Sequence, residues 1–87
     1  MAQFGKDTFD LIGMRKRLGF NQTDMAARMG LKPRAYFTLE QKPEAINARH
    51  VMLAQMVSLE VAVARKDRSL TDTHAAELAI MFCALPL

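Results

Sequence analysis

The stretch from Asn21 to Glu40, NQTDMAARMGLKPRAYFTLE, leaves the chain little choice of local fold. Asn21 is a good helix N-cap, and Met25, Ala26 and Met29 recur on one helical face. Gly30 supplies a turn residue free to take positive φ, where a side chain would be strained. Pro33 stands where a second helix begins, a position at which its missing N–H costs nothing. Tyr36 and Leu39 give that helix an inward face, and Arg34, Phe37 and Thr38 point away from it. Small Ala26 and Ala27 let the two helices approach closely at a steep angle. The spacing predicts a helix-turn-helix over 21–40, the arrangement that sets a helix in the major groove of DNA.

The rest of the chain reads as three further helices. The first is expected from Thr8 to Leu18, with Phe9, Leu11, Ile12, Met14 and Leu18 as its apolar residues and Gly19 as its stop. A loop from Gln41 to Ile46 holds Pro43, which bars a helix interior and pushes Lys42 towards extended geometry. Asn47 is expected to cap a fourth helix running to about Ala64, and Arg65 to Ser69 form a charged connection. Thr71 is expected to cap a fifth helix, with Asp72 in its first turn, running to about Ala84. Apolar residues recur at three and four rather than at two, so the fold class is all-α, in one domain over residues 1–87.

The fourth and fifth helices, about 47–85, carry more apolar surface than a small core absorbs. On the fourth, Val51, Ala54, Val57 and Val61 make one stripe and Met52, Met56, Leu59 and Val63 another. The fifth is apolar almost all round, and such a helix needs burial on every side. Met56, Leu59, Val63, Leu78, Met81, Phe82 and Leu85 are therefore expected to form a homodimer interface, two-fold symmetry being the commonest arrangement. The alternative is a fifth helix folded into a monomeric core.

Charge divides unevenly. From Met1 to Pro43 eight basic residues face four acidic ones, and from Glu44 onward four basic residues face five acidic ones. All of the net charge of +3 is thus carried by the half with the helix-turn-helix, as a phosphate-binding surface requires. The single cysteine, Cys83, makes no internal disulfide and is expected to be a buried filler, as in a reducing cytosol. The N-terminal MAQFGKDTFD lacks a signal-peptide core, and no apolar run approaches the roughly 20 residues that span a bilayer. The expectation is a cytoplasmic, soluble protein.

Taken together, Leu11 to about Val57 resembles the phage Cro/repressor (Xre-type) helix-turn-helix family. The matching residues are Arg15, Leu18-Gly19-Phe20, Asn21-Gln22, Met25-Ala26, Met29-Gly30-Leu31, Leu39-Glu40, Leu53-Ala54 and Val57. The resemblance implies a five-helix, lambda-repressor-like domain with a C-terminal dimerisation helix. It also implies a repressor of its own operon that binds an inverted-repeat operator in double-stranded DNA, in a phage or mobile-element setting. By the same resemblance Gln22 grips phosphate at the start of the second helix, and Lys32, Pro33, Arg34 and Thr38 stand where bases are read. Arg34 is the leading candidate, because its fork matches O6 and N7 of guanine. Gln41, Lys42 and Arg49 are expected on flanking phosphates. Arg15 and Glu40 match a family ion pair that fixes the angle of the recognition helix.

Two positions depart from the family pattern. Phe37 replaces a residue that is usually polar, and burial is its expected fate. Lys42-Pro43 stands where many relatives have glycine after the glutamate, which alters the path into the fourth helix.

Other chemistry finds no footing in the sequence. His50 and His74 lie far apart, one cysteine completes no zinc set, and no nucleophile elbow, carboxylate pair or glycine-rich phosphate loop is present. No enzyme, cofactor or metal site is expected. The competing reading is an antitoxin-like module on the same fold, whose apolar helices mask a toxin.

Overall fold

The computed structural model describes residues 9–86, which form five α-helices and no strand. These are α1 (Leu11–Leu18), α2 (Gln22–Met29), α3 (Pro33–Gln41), α4 (Ala48–Arg65) and α5 (Thr73–Cys83), with short 3-10 turns at Pro43–Ala45 and Arg68–Leu70.

Local chemistry explains most of the boundaries. The Asp10 carboxylate accepts the Gly13 N–H at 2.9 Å and caps α1, later than the expected start at Thr8, which lies outside the described residues. Gly19 ends the helix at φ 78°. Asn21 and Asp24 then close a reciprocal capping box at the start of α2, with bonds of 2.8 and 3.2 Å. Gly30, at φ 75°, turns the chain so that the Leu31 N–H reaches back to the Ala26 carbonyl at 2.8 Å. Pro33 is the first residue of α3.

Gln41, expected in the loop, is instead the last residue of α3, because the Lys42 N–H still bonds the Thr38 carbonyl at 2.8 Å. Pro43 acts one residue later, holding Lys42 away from helical geometry at φ −127°, ψ 82°. Asn47 caps α4 as expected, in a box completed by His50. That helix takes in Arg65 and ends on Lys66, which adopts the left-handed conformation at φ 56°.

Leu11, Met14, Leu18, Met25, Ala26, Met29, Tyr36, Leu39, Ile46, Val51, Ala54, Val57 and Val61 form one buried cluster. α4 is its spine, packing on α1, α2 and α5, while α2 packs on α3. The first stripe of α4 is thus inside, while Met52, Met56 and Val63 of the second are exposed and Leu59 is half-buried.

At the C-terminal end the structure corrects two expectations. Asp72, not Thr71, caps α5, accepting the His74 and Ala75 N–H groups at 3.0 and 3.2 Å. Thr71 is occupied in closing the preceding turn, its N–H on the Arg68 carbonyl. The start of α5 is fixed by Ser58, fully buried on α4, whose hydroxyl donates to the Gln55 carbonyl and accepts the Asp72 N–H at 3.0 Å. Cys83 is exposed rather than buried, because α5 buries Ala75 alone among its residues.

Candidate nucleic-acid interface

The outer face of α3 is built by subtraction. Tyr36 and Leu39 take the inward positions and are buried, which turns Arg34, Thr38 and Gln41 to solvent on the opposite side of the helix. Lys32 and Pro33 at its start and Lys42 at its end are exposed as well. A nine-residue helix is about 13 Å long, which matches a major groove about 12 Å wide. The six candidates on and around α3 therefore make one continuous strip. Arg49, exposed in the first turn of α4, follows the 3-10 turn and is a separate element of the surface.

The angle of α3 is held by a buried carboxylate. Glu40 Oε2 accepts the Arg15 Nε–H at 2.7 Å, and Oε1 accepts from a terminal nitrogen of the same guanidinium at 3.3 Å. The Tyr36 hydroxyl donates to Oε2 and the Gln22 amide to Oε1 at 2.8 Å. Arg15 also donates to the Phe20 carbonyl at 3.1 Å. One carboxylate with 5% side-chain exposure thus ties α1, α2 and α3 together. Burial by itself would raise the Glu40 pKa, but the hydrogen bonds from Arg15, Tyr36 and Gln22 and the Arg15 charge outweigh it and hold the carboxyl below its ordinary range. The hydrogen bond to Glu40 raises Arg15 further, and burial, then the bond to Glu40, raises Tyr36.

Gln22 therefore does two things. Its amide N–H is committed to Glu40 in the free protein, which takes that donor away from the phosphate contact expected of it. What remains for an anion is the second amide hydrogen and the backbone N–H groups that open α2. Asp24, in the first turn of the same helix, places a negative charge nearby and weakens that end as an anion site. Thr38 is also partly committed, its hydroxyl donating to the Arg34 carbonyl at 3.1 Å, so its methyl and lone pairs are what it presents outward.

Phe37 is half-buried and packs against the core cluster, as expected of an aromatic on an otherwise polar face. The sequence did not reveal the cation contacts of Phe20, whose ring centroid lies 5.2 Å from the Arg28 guanidinium and 5.6 Å from that of Arg65. Arg65 also donates to the Leu18 carbonyl at 2.8 Å, tying the end of α4 to the end of α1. Nor did it reveal the Tyr36 hydroxyl on Glu40, although spacing of four residues on one helix was the available signal.

Among the described residues no three His, Cys, Asp or Glu side chains gather as metal ligands would, and no helix is long and apolar enough to cross a membrane. Set against models of known families, curated proteins and solved structures, the chain matches none.

Proposed function

We propose that the chain is a sequence-specific DNA-binding transcriptional regulator, with α2 and α3 as its helix-turn-helix and α3 in the major groove. The observation that carries the reading is the exposed strip Lys32, Arg34, Thr38, Gln41 and Lys42 on a helix whose inner face is locked by Arg15 and Glu40. A fixed helix angle is what base readout needs, since side chains must meet base edges within hydrogen-bonding distance. Lys32, Pro33 and Arg34 face the bases, with Arg34 the principal reader, Thr38 sets its methyl against a thymine, and Gln41, Lys42 and Arg49 hold phosphates. Gln22 and the start of α2 take one more. As a cytoplasmic homodimer on an inverted-repeat operator, of phage or mobile-element type, the protein represses its own operon by excluding polymerase.

Titration of the purified chain against a fluorescent duplex of mixed sequence tests this. Binding at about 50 mM salt is expected, with log affinity falling linearly as log salt rises. An absence of binding at that salt overturns the proposal.

A second reading has its own observation. The exposed apolar face of α5 suits an antitoxin-like module that covers a toxin. Stoichiometric co-purification of a partner by a chain that fails the duplex titration favours it.

A further inference from the structure

Phe37 is a large aromatic side chain on the polar side of α3. Around the helix axis it lies about 40° from Gln41 and about 60° from Arg34, and both of those project between it and Thr38. Part of the ring is spent on the core cluster and part stays open. Phe37 is half-buried, whereas Arg34, Ala35, Thr38 and Gln41 around it are exposed. Core packing holds side chains in their rotamer minima, so the open edge of the ring does not swing clear of whatever α3 meets.

We propose that Phe37 selects thymine, packing its open edge against the C5 methyl group of a T·A pair close to the base read by Arg34. The assignment rests on α3 being the helix that enters the major groove. Thymine is the base that presents an apolar group there; adenine, guanine and cytosine present hydrogen-bond donors and acceptors. A polar base edge pressed on a fixed ring loses its water and gains no partner, which is unfavourable. A methyl group in the same place only leaves water, which is favourable. The ring therefore attracts thymine and turns away the polar edges, so both effects favour the same base. Helix geometry sets the position. Residues three apart have Cβ atoms about 5–6 Å apart, and base steps rise about 3.4 Å, so Phe37 and Arg34 meet bases one or two steps apart.

The experiment uses the full chain and the duplex it selects from a random pool, with each thymine replaced in turn by deoxyuridine. That change deletes the methyl group and keeps the hydrogen-bonding groups. At a thymine within two base pairs of the position that Arg34→Ala relaxes, affinity is expected to fall about fourfold, as for one buried methyl group. At the same position 5-methylcytosine should bind better than cytosine by a similar factor. Phe37→Ala is expected to bind both members of each pair alike while keeping the base preference due to Arg34. Thr38→Ser, which deletes the other methyl group on this face, is expected to leave the fourfold loss unchanged. It assigns the effect even where Phe37→Ala loses helix content by circular dichroism. A selected duplex whose thymines are all indifferent to the methyl group overturns the inference and leaves α3 as the reading helix. So does a methyl effect that persists in folded Phe37→Ala, or one that Thr38→Ser abolishes. A pool with no enriched sequence overturns both the inference and the reading of α3 on which it rests.

Discussion

Replacing Glu40 by glutamine keeps the side-chain shape and removes the charge on which three helices converge. The carboxylate accepts from Arg15 twice, from Gln22 and from Tyr36. An amide offers one acceptor oxygen, so two of the four donors lose their acceptor and face an N–H group instead. Hydrogen bonds to charged groups contribute about 1.5–3 kcal/mol each, and removing one partner of a buried ion pair costs about 3–5 kcal/mol. Arg15 retains 14% side-chain exposure and its bond to the Phe20 carbonyl, which lets it regain some hydration. We therefore expect Glu40→Gln to destabilise the chain by about 3 kcal/mol. For a domain of this size that lowers Tm by roughly 15 °C. Thermal and urea unfolding followed by circular dichroism measures it, with exposed Glu44→Gln as the reference. A loss below about 1 kcal/mol would refute the claim that the Glu40 carboxylate holds α1, α2 and α3 in place.

Four further outcomes follow from the same geometry. Because the folded protein holds the Glu40 carboxyl below its ordinary value of 4.5, its contribution is present above that pH and is lost as pH falls through the lower, folded value. Wild-type stability should drop across that interval more steeply than Glu40→Gln, and equal slopes would contradict it. Lys66→Gly should raise stability by about 0.5 kcal/mol, since the left-handed conformation at φ 56° strains any side chain; a loss of stability would show that Lys66 packs rather than strains. Arg34→Ala should weaken operator binding by about 1–3 kcal/mol and relax one base position, whereas equal weakening on every sequence would assign Arg34 to phosphate. Lys42→Ala should weaken binding uniformly and reduce the salt slope by about one, and an unchanged slope removes Lys42 from the footprint.

Much of the fold was legible because its punctuation is local. Asn21 and Asn47 cap through their own side chains, Gly30 and Pro33 act through their own backbone preferences, and each stands where its chemistry requires. The cap of α5 was read one residue early because Thr71 and Asp72 are both good caps; the choice between them is made by Ser58, fourteen residues away on α4. Gln41 was assigned to the loop because Pro43 was given too long a reach, whereas proline constrains chiefly the residue before it. In the candidate interface, the exposed residues of α3 and the Arg15–Glu40 pair were visible from spacing and resemblance. The commitment of the Gln22 amide to Glu40 was not, because a polar residue in a first turn looks alike whether it faces inward or outward. Cys83 was misjudged because an apolar sequence was taken to mean burial within one chain.

The central claim is that α3 reads DNA sequence, and selection of bound duplexes from a random pool by the purified protein, near physiological salt, tests it most directly. The account predicts enrichment of an inverted repeat with half-sites about one helical turn apart. Survivors with no preferred sequence would contradict it.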